Sequence, residues 1–268
     1  IANIKIQSGS VSLDEAYVAS STFNQSKAGD VEIEAEGLSL RDSVIASGNN
    51  SQADAGDVTI NAGQTVLTEE SFIANGLNIA MLDWGWDPFA PGDAGDISIN
   101  SDSLRLESGS FIRNSQIDTS LPGDVSITSD KISLADGSFI ATESVPLYQS
   151  DFSNRTEVDQ NGSVSIKTGS LDLSDSSYVK TTTVIPKRNA GDITVEADSV
   201  SLTGRSSLLS NTEPNKFETE LGLTGLDYGN AGRLEIKTGS LQLADQSKIS
   251  SDSFTSGDGG DVALTATT

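Results

Sequence analysis

Residues 123–140 read Gly-Asp-Val-Ser-Ile-Thr-Ser-Asp-Lys-Ile-Ser-Leu-Ala-Asp-Gly-Ser-Phe-Ile. Val125 and Ile127 alternate with Ser126 and Thr128, and Ile132 and Leu134 alternate again after a short polar break. Period-two alternation puts successive side chains on opposite faces of a strand. The phrase recurs along the chain: Gly-Asp, two aliphatics, a second alternating pair, then Ser-x-Ile. Its first aliphatic residue falls at Ile4, Val31, Val58, Ile97, Val125, Val164, Ile193, Leu234 and Val262. The intervals are 27, 27, 39, 28, 39, 29, 41 and 28 residues, so short and long coils alternate from Val31 onward.

Offsets within a coil barely vary. Seven and nine residues after the start come Leu38 and Leu40, Leu104 and Leu106, Leu171 and Leu173, or Val200 and Leu202. The copy at Val58 departs, with Thr65 and Leu67. A third apolar position follows 14–16 residues after the start, at Val18, Ile45, Ile73, Ile112, Ile140, Val179, Leu209 and Ile249. Three short strands per coil describe one rung of a solenoid. A lone rung cannot bury its apolar column, whereas stacked rungs bury it continuously. The spacing predicts an all-β, single-stranded parallel β-helix of about nine coils over residues 1–268. Its hand is expected to be right, from the chirality of parallel crossovers. An antiparallel sandwich also shows short alternating strands but does not require equal offsets in every copy.

Composition narrows function. Net charge is −23, from 16 basic and 39 acidic residues. That opposes contact with a phosphate backbone or an anionic membrane surface, so no nucleic acid and no membrane insertion are expected. With no Cys and no His, thiolate metal sites and every Ser-His-Asp or Cys-His arrangement are excluded. No cofactor is expected. The opening residues already carry the strand pattern, so the chain reads as a fragment of a longer repetitive protein.

Five stretches carry a family resemblance: Ala-Gly-Asp-Val-Thr-Ile-Asn-Ala (55–62), Leu-Glu-Ser-Gly-Ser-Phe-Ile (106–112), Leu-Ala-Asp-Gly-Ser-Phe-Ile (134–140), Asn-Ala-Gly-Asp-Ile-Thr-Val (189–195) and Gly-Ser-Leu-Gln-Leu-Ala-Asp-Gln-Ser-Lys-Ile-Ser (239–250). They resemble the repeats of filamentous-haemagglutinin-like surface exoproteins of the cyanobacterial type. The resemblance implies a right-handed parallel β-helix, export by two-partner secretion, and a role as a stalk or adhesin at the cell surface. The chain lacks the Asn-Pro-Asn-Gly type motifs of that family's secretion domain.

Three features could carry function, each with a structural reading beside it. The first is the Gly-Asp corner. Asp30, Asp57, Asp96 and Asp124 recur there and could bridge Ca²⁺ with carboxylate oxygens. Alternatively they serve turn chemistry, with Asp accepting backbone N–H bonds and Gly taking a positive φ. The second is a column just before each inward Ile or Val: Tyr17, Val44, Phe72, Phe111, Phe139, Tyr178, Leu208 and Lys248. Its aromatics could form a stacking platform for sugar rings, or the inserts could cover them. The third is the inserts near 76–94, 142–161 and 211–230. These hold Asp83, Trp84, Trp86, Asp87, Phe89, Tyr148, Phe152, Phe217 and Tyr228. Loops on a rigid repeat scaffold are where binding concentrates. The same aromatics could instead anchor each loop to its neighbours.

The leading expectation is a non-catalytic structural or adhesive module, secreted or at the cell surface. Its partner would be a surface glycan, a protein or another copy of itself. The alternative is a polysaccharide-acting β-helix enzyme, a lyase or hydrolase. The nearest approach to a catalytic cluster is Arg155 with Asp151, Glu157 and Asp159. An ice-binding face needs a regular Thr column, which the mixed outward positions Lys5, Glu32, Thr59 and Ser98 do not form. Asn-x-Ser/Thr triplets begin at Asn24, Asn49, Asn154 and Asn161.

Overall fold

The computed structural model describes residues 2–22, 26–49, 53–76, 92–117, 120–145, 159–214 and 227–266. Each expected coil start is the first residue of a strand. The long strands are β1 (Ile4–Asp14), β3 (Val31–Arg41), β5 (Val58–Thr68), β7 (Ile97–Leu106), β9 (Val125–Leu134), β12 (Val164–Leu173), β15 (Ile193–Leu202), β17 (Leu234–Leu243) and β19 (Val262–Ala266). They form one nine-stranded parallel sheet in that order. The short strands are β2 (Tyr17–Thr22), β4 (Val44–Asn49), β6 (Phe72–Gly76), β8 (Phe111–Ile117), β10 (Phe139–Val145), β13 (Tyr178–Thr183), β16 (Ser207–Thr212) and β18 (Lys248–Ser253). These make an eight-stranded parallel sheet, again in chain order. Two-residue strands β11 (Asp159–Gln160) and β14 (Arg188–Asn189) pair at a third corner. No described residue is helical. The architecture is a parallel β-solenoid. Nine strands at a spacing of about 4.8 Å give a stack roughly 38 Å tall.

The repeat builds this because each column is apolar in every rung. Val31, Ile33, Leu38, Leu40 and Ile45 of one rung are all at most 2% exposed. Val31 lies between Ile4 and Val58, and Ile45 between Val18 and Ile73. Burying each such side chain is worth roughly 1.5–3 kcal/mol, and only stacking provides the burial. The exceptional Thr65 keeps the register, between Leu38 and Leu104. It is fully buried, and its hydroxyl has no hydrogen-bond partner among the described residues.

The first two segments of each coil are one strand with a corner, not two strands. In β3 the inward set switches from Val31 and Ile33 to Leu38 and Leu40, an odd-to-even shift that pairing accommodates by skipping Glu36. Small hydroxyls close the bend across two residues: Ser8, Ser129, Thr168 and Thr238 each donate to the carbonyl two positions on, at 2.8–2.9 Å.

The turn into the short strand lengthens along the stack. One residue there has a positive φ in the first two rungs, Glu15 and Asp42. From the third rung on there are two, as in Glu69–Glu70, Ser108–Gly109 and Asp136–Gly137. The expected assignment of Leu209 as inward and Leu208 as outward is overturned: Leu208 lies 15 residues after its coil start, the same offset as Ile73, Ile112, Ile140, Val179 and Ile249. Leu208 pairs with Val179 and is fully buried, while Ser207 stands in register with Tyr178.

The corner glycines also differ from expectation. Gly29, Gly56, Gly95, Gly123, Gly162, Gly191, Gly232 and Gly260 do not have positive φ. They are glycine because the rungs meet there. A Cβ on any of them would lie 2.5–2.8 Å from a carbonyl carbon of the preceding rung, and as close or closer to its oxygen. Glycine serves backbone conformation in the turns, at Gly109 and Gly137, and close approach at the corner.

An internal polar column closes the coil. Asn75, Asn114, Thr142 and Thr181, all at most 1% exposed, donate to Gly56, Gly95, Gly162 and Gly191 carbonyls at 2.5–2.7 Å. Ser47 and Ser210 do the same at 3.1 and 2.9 Å. The corner chain therefore meets the short strand through side chain–backbone bonds, so its buried carbonyls are paired.

Candidate functional site

The long coils send out their extra residues after β6, β10 and β16, three strands of the same sheet on alternate rungs. The extra segments are shorter than the sequence suggested. Gly76, residues 142–145 and residues 211–212 belong to strands, and residues 92–94, 159–161 and 227–230 belong to the returning corner. Of the expected contact residues, Asp83, Trp84, Trp86, Asp87, Phe89, Tyr148, Phe152 and Phe217 lie outside the described residues, as do Asn24 and Asn154. The expectation that the inserts cover the aromatic column falls there too. Tyr228 is described. It is 9% exposed, its N–H donates to Ser256 Oγ at 2.9 Å, and it bridges to Pro186. It braces the corner and presents little surface to a ligand.

The aromatic column exists and points outward. Phe72, Phe111, Phe139 and Tyr178 stack with centroids 4.7, 4.8 and 4.8 Å apart and planes 3° from parallel. The rung rise dictates this spacing. Stacked this way, each ring lies against its neighbours and is only partly exposed. Tyr17, 71% exposed, differs because its neighbour is Val44 rather than a ring. Beside the stack, the Arg113 guanidinium lies 5.9 Å from the Phe111 centroid. It pairs with Glu143 at 3.6 Å, and Lys180 pairs with Glu213 at 3.0 Å. Burial pushes the Tyr178 hydroxyl up to about 12, helped by the Glu143 charge, and burial also lowers Arg113. The stack is a half-buried brace edged with ion pairs.

The Gly-Asp corner is a ladder. Asp30, Asp57, Asp96 and Asp124 each accept, through Oδ1, the backbone N–H of the equivalent residue one rung on, at 2.7–3.0 Å. Ser163 substitutes its Oγ at 3.1 Å, and Asp192 resumes the pattern to Arg233 N at 2.7 Å. A second ladder runs three residues earlier: Asp54 accepts from Asp93 N, Asp93 from Leu121 N, and Asn189 from Asn230 N. The corner carboxylates thus tie rung to rung, which accounts for their recurrence without an ion. Among the described residues no group of three acidic side chains is placed to hold a metal.

Sequence reasoning missed one residue entirely. Arg188 is wholly buried, and its fork meets Asp159 twice, at 3.1 and 3.2 Å. Its Nη1 donates to Ser120 O and Ser144 Oγ, both at 2.8 Å. This pins the root of the segment returning after β10. Asp159 therefore serves a structural bridge and is withdrawn from the expected catalytic cluster with Arg155. Asn49 and Asn161, at 0% and 2% exposure, are too buried to serve as glycosylation acceptors in the folded chain. No described helix is long and apolar enough to cross a membrane. Compared with models of protein families, with curated proteins and with solved structures, the chain matches none.

Proposed function

We propose that this chain is a non-catalytic structural and adhesive module of a secreted or cell-surface exoprotein, of the filamentous-haemagglutinin-like kind. Recognition of a surface glycan or protein is assigned to its loop-bearing edge. One observation carries the reading: all three inserts root on the same sheet, two rungs apart, on a scaffold braced by ladders of identical bonds. Rigid elements that repeat a loop at fixed spacing suit attachment better than chemistry, which needs unlike groups converging on one point. The strong negative charge favours a soluble, self-repelling rod. Deleting residues 77–91, which carry Trp84 and Trp86, tests this. The expected result is an unchanged circular dichroism spectrum with attachment to target cells reduced at least tenfold. Undiminished attachment would refute the loop assignment.

A further inference from the structure

We draw no further inference here: the strongest candidate, the apolar patch at the β19 end of the stack where Leu243, Phe254, Val262 and Leu264 stand exposed, is an unpartnered face, and nothing in the structure shows what covers it.

Discussion

Replacing Gly191 by Ala adds one methyl group to a residue with ordinary φ, so backbone strain is not the issue. The methyl carbon would stand 2.6 Å from the Gly162 carbonyl carbon and 3.2 Å from Asn161 O. Carbon atoms at rest sit about 3.5–4.0 Å apart, so the two rungs must part there by about 1 Å. Three of the bonds that cross that seam flank the contact: Asn161 N to Asn189 O at 2.9 Å, Val164 N to Asp192 O at 2.9 Å, and Asp192 N to Ser163 Oγ at 3.1 Å. Lengthened by about 1 Å, none survives as a hydrogen bond. At about 1 kcal/mol each, with a further penalty for buried groups left unpaired, the loss is about 3–5 kcal/mol. Chemical denaturation followed by circular dichroism reads this as a lower midpoint at unchanged slope. Gly37→Ala is the control, because nothing lies within 4 Å of its added Cβ. It should shift stability by no more than about 0.5 kcal/mol, or raise it slightly. A Gly191→Ala protein within about 0.5 kcal/mol of the parent would show that the rungs yield freely, and the close-approach account of the glycine column would fail.

Two further outcomes are expected. Arg188→Met removes a buried fork that holds Asp159, Ser120 and Ser144, and should lower stability by about 3–5 kcal/mol. Arg188→Lys should restore little of it, because an ammonium cannot reproduce the bidentate geometry; a melting temperature unchanged in either variant would contradict the anchoring role. Thr65→Val replaces a buried, unpartnered hydroxyl with a methyl group of like size and should raise stability by about 1 kcal/mol. A lower denaturation midpoint for that variant would mean the hydroxyl has a partner after all.

The rungs themselves were plain in the sequence. Offsets counted on aliphatic residues gave every strand start of the long sheet, because a solenoid demands the same residue class at the same place in each copy. Alternation also put Phe72, Phe111, Phe139 and Tyr178 on the outside. What escaped was whatever does not repeat or whatever looks polar. Leu208 and Leu209 are both apolar neighbours, so residue class alone does not choose between them, and register with Val179 decides for Leu208. The internal Ser, Thr and Asn column has the composition of a surface, yet it is buried because corner carbonyls need donors. Arg188 has no counterpart in other rungs and so left no periodic trace. Gly-Asp was recognised as a corner, but the sequence does not say whether a glycine is there for its own torsion or for its neighbour's carbonyl.

The carboxylate ladder has a consequence for length. Each corner aspartate accepts from the rung ahead, while its own N–H donates to the rung behind, so the two faces of a rung are complementary to each other. Inserting one more coil would replace one interface by two of the same kind. Such a molecule can grow or shorten by whole coils without redesigning any contact, and its reach from one end to the other is set by copy number alone.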